Sequence, residues 1–408
     1  MRFSRLLAAV LLAASVRPLG SQTPNAAPAP VPIEISGLFF GSFNMRTDSA
    51  ARAALGGKRP SAFSIDRIYL NFRAPAGDNG ALRVTTDIFQ NTNPGTNGYF
   101  QGWAIRMKYA FFEYTMLRDA FGKGSSLLAR VGSINNVIID PAVGAWPRFF
   151  NPIAVERVPY FSSADVGAGA LLTFPSHMGD VYVTVMNGPG YNSYEKDRFK
   201  DPAIRVLLTP LANRSAGYFR TLQFMPWYYK GFVGSQFASG GGGQVGPGQN
   251  GAVTDPMTRD RYGLLAGVRD RRLTFATEVA WQHDQSESGA NTVASPRVVA
   301  DSIGRMLDGY VIARPLEIMN PEKHSPFFVV ARYDHLTPNV DPTAAAYAGT
   351  TPAYDFTTLG AAYDLNQRIT LALDWQLDRA VGFPPPSGIN VRPRPNVSTV
   401  FLHWNATF

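Results

Sequence analysis

The chain has 408 residues, a formal net charge of +8 at pH 7 and no cysteine. Disulfides, a thiol nucleophile and cysteine metal sites are therefore excluded. The basic excess is small, and neither a basic helix nor an RNP-like aromatic motif accompanies it, which argues against a nucleic-acid partner. Aromatic residues make up 12% of the chain beside 38 Gly and 31 Pro, a mix typical of all-β folds with many turns.

The first 32 residues predict an exported protein. Arg2 and Arg5 precede an apolar stretch over residues 6–16, so residues 1–21 are interpreted as a signal peptide, cleaved after Ser15 or Ser21. Residues 22–32 form a Pro/Ala-rich spacer that cannot join a central strand. Beyond the leader no apolar run reaches the roughly 20 residues that a membrane-spanning helix needs. A membrane-spanning form of this chain would have to use strands.

Alternation of apolar and polar residues with a period of two begins at residue 33 and continues to the C-terminus, which predicts sixteen strands. In the fourth, the apolar face is predicted to include Tyr109 and Phe111, and the polar face Arg106 and Lys108. The predicted strands span residues 33–46, 63–73, 81–90, 103–114, 125–134, 165–174, 180–187, 202–209, 218–234, 260–268, 272–283, 306–316, 325–335, 355–364, 368–378 and 397–408.

The lengths of the connections indicate how these strands are arranged. Connections after even-numbered strands are predicted to be short, and those after odd-numbered strands long. This alternation is typical of a transmembrane antiparallel up-and-down β-barrel with short periplasmic turns and long extracellular loops. A ten-residue strand rising about 3.3 Å per residue and tilted by about 45° spans roughly 24 Å, which matches the apolar band of an outer membrane. Residues 33–408 are predicted to form this barrel.

Charges on the second face favour a barrel over a soluble sandwich. In a sandwich they would lie in a dry core, at a cost of several kcal/mol each if unpaired, whereas a barrel of about sixteen strands encloses water. A basic wall opposite an acidic wall would give a weak anion preference; alternatively, these residues only pair with each other and fill space. The predicted pore-lining residues are basic Arg67, Arg73, Arg83, Arg106, Lys108, Arg130 and Arg332 and acidic Asp87, Glu278, Asp334, Asp374 and Asp378.

The connection over residues 135–164 is the longest and is rich in aromatic and apolar residues. An exposed loop of this composition would aggregate or be cleaved, so it is predicted to fold into the lumen and narrow it. Asp140, Arg148, Glu156 and Arg157 would then lie at the constriction. The alternative is a loop that packs outside the barrel against a neighbouring subunit.

The last strand places Trp404 and Phe408 on its apolar face and His403 and Asn405 on its polar face. We expect it to pair with the first strand and to close the sheet. The terminal Phe408 resembles the aromatic ending that the barrel assembly machinery of outer membranes reads.

Several segments resemble the phosphate-selective porin O/P family of Gram-negative outer membranes. They include FSIDRIYLNFRAP, WAIRMKYAFFEY and VTVMNGPGYNSYEKDRFKDPAIRVLLTPL, within a likeness that runs over residues 33–408. The resemblance implies a homotrimeric sixteen-stranded diffusion porin. Phosphate specificity in that family is associated with rings of Arg and Lys and a lysine ladder. Lys108 is the main predicted lumen lysine here, which favours a general or weakly anion-selective pore.

The predicted function is passive diffusion of small hydrophilic or anionic solutes across an outer membrane, without a cofactor and without enzymatic activity. One alternative is an outer-membrane barrel enzyme of the lipase or protease type; another is a substrate-specific oligosaccharide channel. An enzyme would need a Ser/His/Asp-type arrangement, and His335 beside Asp334 is the one pairing of interest. Clusters of His and carboxylate residues that would suggest a metal site are missing from the sequence.

Overall fold

The structure, a computed structural model, describes residues 31–91, 102–158, 160, 162–193, 195, 199–214, 217–233, 257–288, 298–340, 353–381 and 396–408. The predicted signal peptide, residues 1–21, and nearly all of the predicted spacer lie outside these residues. The chain divides into two units, Met1–Pro32 and Ile33–Phe408, and the description below concerns the second. Within the described parts of the chain, no helix has both the length and the hydropathy needed to cross a membrane.

Sixteen antiparallel strands form one closed barrel in which each strand pairs with its neighbours in sequence and β1 pairs with β16. The predicted fold class and strand number are confirmed. The strands are β1 (Glu34–Arg46), β2 (Ser61–Pro75), β3 (Gly80–Asn91), β4 (Gly102–Arg118), β5 (Ser126–Asn135), β6 (Ala164–Thr173), β7 (Gly179–Met186), β8 (Asp201–Leu208), β9 (Gln223–Val233), β10 (Met257–Arg269), β11 (Leu273–Ser288), β12 (Val298–Ala313), β13 (Phe327–Thr337), β14 (Tyr354–Asp364), β15 (Ile369–Ala380) and β16 (Val397–Thr407).

The strands alternate between an apolar outer face and a mixed inner face. In β15, Leu371 and Leu373 are exposed while Ala372 and Asp374 are buried. Successive side chains of a strand point to opposite faces, so the leucines lie outside the barrel and Asp374 inside it. Strand β16 follows the same rule, with Leu402 exposed and His403 buried.

A β-bulge in β4 reverses the alternation that the sequence predicted for the second half of this strand. The pairing of β4 with β3 shifts between Thr85 and Thr86, and Lys108 is the extra residue. Tyr109 and Phe111 are therefore buried inside the barrel, although they were predicted on the outer face. An extra residue in one strand changes the face of every residue after it.

The two rims of the barrel differ, but less strictly than predicted. At one end, called the turn rim, tight turns at residues 76–79 and 270–272 join neighbouring strands; at the other, the loop rim, residues 136–163 form the longest connection. The prediction of short connections was wrong for residues 209–222 and 314–326 on the turn rim. The first contains the 3₁₀ helix Tyr218–Thr221 where the start of β9 was predicted. The second contains helix Pro315–Met319, since proline at a first helical position favours a helix over a continued strand.

The connection after β5 fills part of the barrel interior. It contains two short helices, α2 (Ile139–Ala145) and α3 (Ala154–Arg157). In the described part of the chain, the other α-helices are α1 (Ser49–Ala54), between β1 and β2, and α4 (Pro315–Met319), between β12 and β13. The apolar side chains of the connection after β5 pack against inner faces of β7, β9, β10, β12 and β13. The residues of this internal core include Val137, Ile138, Trp146, Phe150, Val155, Tyr160, Tyr182, Trp227, Leu265, Tyr310 and Val330.

Candidate functional site

Residues 136–163, called the inward segment below, are anchored to the barrel wall by Arg332 of β13. The Arg332 guanidinium donates to the side-chain oxygen of Asn151 and the main-chain oxygen of Pro152, both at 2.7 Å. It also lies 5.0 Å from the ring centroid of Trp146. The amide of Asn151 continues the anchor by donating to Thr358 of β14 at 2.9 Å. Arg332 therefore joins the inward segment to the wall rather than facing open water.

A second set of contacts extends this attachment across β13 to β15. Arg157 of α3 pairs with Asp334 at 2.6 Å, and its guanidinium carbon lies 4.0 Å from the ring centroid of Phe356. The Gln376 amide donates to the main-chain oxygen of Phe150 at 2.8 Å. The Arg157–Asp334 contact is charge-assisted and therefore the stronger of the two. With Arg332 and Gln376, it holds the inward segment at several separate points.

Three of the acidic residues predicted for one wall, Glu278, Asp334 and Asp374, are buried on inner faces of the barrel. Asp334 is 0% exposed and Glu278 2%. Asp334 is paired with Arg332 and Arg157, and Glu278 accepts from the indole of Trp227 at 3.1 Å. Asp374, also buried, contacts His403 at 2.9 Å. Asp378 is half-buried toward the loop rim of β15.

Asp308 of β12 belongs to the same group and was missed by the sequence prediction. Its carboxylate lies 3.1 Å from Arg332, and the side chain is buried. Leu307 is exposed on the outer face, so the alternation along β12 places its neighbour Asp308 on the inner face. The acidic wall is thus larger than predicted, and it is neutralised or covered rather than presented to the lumen.

On the opposite side, Asp87 of β3 joins two of the predicted arginines. Arg67 and Arg106 approach its carboxylate at 2.7 Å and 2.8 Å, and both arginine side chains remain 27% exposed while that of Asp87 is 0% exposed. Arg106 is also sandwiched between two rings, 4.1 Å from the centroid of Phe89 and 4.8 Å from that of Tyr191. Two cations that share one carboxylate leave a local excess of positive charge at an accessible surface.

Tyr191, in the connection between β7 and β8, reaches this group from the loop rim and was not predicted. Its hydroxyl donates to Asp87 at 3.2 Å. Burial, and then the negative charge of Asp87, raise the pKa of Tyr191 to about 12. The residue lies in the sequence NGPGYN, within one of the segments that resemble the phosphate-selective porin family.

The remaining predicted basic residues differ in their surroundings. Arg83 stacks 4.6 Å from the centroid of Tyr109, and Arg73 is exposed near the turn rim. Lys108, the bulge residue, is buried and donates to Tyr69 at 3.1 Å. Arg130 contacts Glu113 of β4 at 3.1 Å. Glu113 was missed because it lies beyond the bulge, where the predicted faces were reversed.

The four residues predicted for a constriction lie at three different places. Arg148 and Glu156 form an ion pair at 2.7 Å within the inward segment. Burial opposes the charge of Arg148, but the nearby Glu156, Tyr69 and Tyr109 raise its pKa overall. Asp140 is exposed and accepts from Asn135 at 2.8 Å. Arg157, by contrast, is directed to Asp334 of the far wall.

His335 does not pair with Asp334, which is the arrangement that the enzyme alternative would need. These neighbours on β13 point to opposite faces, and the His335 ring contacts Asp355 at 2.8 Å instead. The hydroxyl of Thr337 lies 3.3 Å from Nε2 of His335. Asp355 is shared with two more partners, because it also accepts a hydrogen bond from Tyr333 and pairs with Arg379. His335 thus belongs to an ion-pair network on the outer face. Among the residues that the structure describes, no group of three or more His or carboxylate side chains could hold a metal ion.

The C-terminus closes the barrel. The main-chain groups of Phe408 and Gly37 exchange hydrogen bonds of 3.1 Å and 3.0 Å, and a Cβ on Gly37 would collide with the Phe408 ring. Trp404 lies against Gly41 in the same way, and its ring centroid is 6.4 Å from that of Phe63. Glycine is required at position 41, where an added Cβ would also meet the main-chain oxygen of Ser64. The Phe408 ring beside Gly37 is exposed and can move away.

No protein-family model matches the chain, and no curated protein sequence does. Solved structures with the same fold include an anion-selective porin from Comamonas acidovorans, with 10% identity, 93% of this chain and 100% of that chain covered, and a TM-score of 0.54. The outer membrane channel DcaP of Acinetobacter baumannii shows 11% identity over 94% of this chain and 99% of the other, at a TM-score of 0.61. Salmonella typhi OmpF, in complex with daunomycin, shows 10% identity over 92% of this chain and 97% of the other, at a TM-score of 0.54. At these identities the likeness shows the fold alone.

Proposed function

We propose that this chain is an outer-membrane porin through which small hydrophilic solutes diffuse passively, with a weak preference for anions. The observation that carries the proposal is the asymmetry of the barrel interior. The inward segment covers the carboxylates of β11 to β15, while Arg67 and Arg106 on the other side keep an accessible surface. A lumen bounded by this remaining surface has a positive potential, which raises the local anion concentration.

A membrane location is supported by the outer face of the barrel. Large apolar side chains are exposed there on strands far apart in sequence, such as Ile105, Val131, Leu307 and Leu373. A water-soluble monomer rarely exposes contiguous apolar patches beyond a few hundred Å². In a bilayer the same side chains face hydrocarbon, and the closed sheet leaves no unpaired strand edge. Residues 1–21, as a signal peptide, would export the chain to the outer membrane of a Gram-negative cell.

On the basis of the sequence resemblance, we also propose that the chain belongs to the phosphate-selective porin O/P family and that it assembles as a homotrimer. Phe408 and Trp404 would serve as the signal for the barrel assembly machinery. A dedicated phosphate pathway is not proposed. Lys108 is buried against Tyr69, and the accessible cations are mainly arginines that share a carboxylate.

Of the alternatives, a barrel enzyme is not favoured because His335 is held in an ion-pair network with Asp355 and Arg379 on the outer face. We propose that the chain has no catalytic activity. A specific oligosaccharide channel would need a continuous run of aromatic rings facing the lumen. The accessible rings near the arginines, Phe89 and Tyr191, are instead stacked on Arg106.

The channel proposal is tested by adding the folded protein to a planar lipid bilayer in symmetric KCl. Discrete ohmic current steps without any energy source are expected. Liposome swelling in isotonic solutions of small sugars and small dicarboxylates then gives the relative permeability for solutes of each class. Absence of steps from protein that is folded, as judged by its heat-modifiable migration on gels, would contradict a porin function.

A further inference from the structure

The turn rim contains a cavity that the channel function does not explain. Its volume is about 440 Å³, and it lies between the end of helix α2 and the inner faces of β10 to β13. This size is in the range of pockets that bind small organic ligands. The lining residues are Pro147, Arg269, Asp270, Arg271, Thr274, Ile312, Arg314 and Phe328.

Most of the charged residues around this cavity are already paired. Arg271 contacts Glu317, and Arg314 contacts Asp364 at 2.7 Å. Asp270, the acid in the lining, is held by Arg272 at 3.2 Å. These pairs fix the walls of the cavity and leave little net charge of their own.

Arg269 is the exception. Among the described residues its guanidinium has no carboxylate partner and no hydrogen-bond acceptor. The group packs against α2, since a Cβ added to Gly144 would lie 2.9 Å from its Nη1 atom. A guanidinium can bind a carboxylate through two parallel N–H···O bonds, so Arg269 has unused capacity at the edge of the cavity.

The other wall of the cavity is apolar. Pro147, Ile312 and Phe328 contribute it, and Phe328 is further fixed by Arg314, whose guanidinium carbon lies 4.8 Å from the ring centroid. An anion without an apolar body would leave this wall in contact with water. A carboxylate that carries a ring or a short hydrocarbon would cover it, with a gain proportional to the apolar area buried.

We propose that this cavity binds small organic carboxylates with an apolar body, held at the carboxylate by Arg269 and along the body by Ile312 and Phe328. The site lies at the periplasmic mouth of the barrel if the turn rim faces the periplasm, and in that respect it rests on the proposed porin function. It would hold such solutes briefly where they leave or enter the lumen.

Binding is measured by isothermal titration calorimetry with the full chain, folded in detergent, and sodium benzoate as the probe. Sodium acetate is the matched anion without a ring. The variants are Arg269→Gln, with Arg269→Ala as a second truncation, and the control is Arg368→Ala, which removes an exposed arginine from another turn of the same rim. Heat-modifiable migration establishes that each variant is folded.

We expect benzoate to bind the native chain and the Arg368→Ala variant equally, and both Arg269 variants at least about tenfold more weakly, because a charge-assisted pair is lost. Acetate should bind more weakly than benzoate. Unchanged benzoate affinity in a folded Arg269 variant, or no benzoate binding to the native chain, would overturn the site. Equal affinity for acetate would overturn the role of the apolar wall. Calorimetry does not depend on conduction, so the two proposals can fail separately. Benzoate binding without current steps would contradict only the porin function. Current steps without benzoate binding would contradict only the proposed binding cavity.

Discussion

Replacing Asp87 with asparagine is expected to strengthen the anion preference, because this carboxylate offsets the charge of Arg67 and Arg106. The substitution keeps the size of the side chain and one acceptor oxygen but removes the negative charge. The two guanidinium groups keep their exposed surfaces, and their positive charge is then no longer balanced within the wall.

The size of the effect follows from Coulomb's law. A unit charge about 6 Å from a permeating ion contributes roughly 0.7 kcal/mol at the dielectric constant of water. That energy changes the local concentration of an anion about threefold, and of a cation by the same factor in the opposite direction. The permeability ratio of chloride to potassium should therefore rise by up to about tenfold at low salt, and by much less near 1 M, where the Debye length is about 3 Å.

The assay is the reversal potential across a planar bilayer under a KCl gradient, for native protein and the Asp87→Asn variant. Asp78→Asn is the matched control, since it removes the same charge from an exposed position in the turn between β2 and β3. Asp78→Asn should leave the ratio unchanged. An Asp87→Asn channel with the native ratio, or with a shift toward cations, would refute the role of Arg67 and Arg106 as the accessible charges.

Three further changes test other parts of the structure. Arg332→Met removes the anchor of the inward segment, leaves Asp308 without its arginine partner and leaves Asp334 with Arg157 alone. The free energy of unfolding should fall by about 3–5 kcal/mol, and surviving channels should show a larger conductance and a weaker anion preference. An unchanged conductance would argue against the anchor. Deletion of Phe408 removes its two main-chain hydrogen bonds to Gly37; the yield of folded barrel in cells should drop severalfold while the conductance of assembled channels stays the same, and normal assembly would remove its role as a signal. His335→Ala should not alter conductance or selectivity because the residue lies on the outer face, whereas loss of an ester hydrolysis activity on this substitution would revive the enzyme alternative.

The closed barrel could be predicted from sequence because a period of two is local and repeats over sixteen segments. In β15, for example, apolar and polar residues alternate without interruption from Ile369 to Asp378. Once one residue of this strand is placed on the inner face, every second residue after it is placed there too. The bulge at Lys108 could not be predicted in the same way. It depends on the pairing with β3, and it moved Tyr109 and Phe111 inside and brought Glu113 to Arg130.

The inner site was predictable in its residue types but not in its contacts. Charge alternation identified Asp334 and Arg332 as inner residues, yet their burial depends on α3 and Asn151, which are far away in sequence. Tyr191 likewise reaches Asp87 from a connection between other strands. Such long-range contacts carry no periodic signal in the chain, so the separation into covered acids and accessible arginines emerges only from the structure.

The most direct test of the covered acids and accessible arginines is the reversal potential of the native channel in a tenfold KCl gradient at low ionic strength. We predict a potential of the sign given by a chloride permeability above that of potassium. A potential of the opposite sign, from protein that forms discrete channels, would contradict the account, because it would require the carboxylates beneath the inward segment to face the lumen.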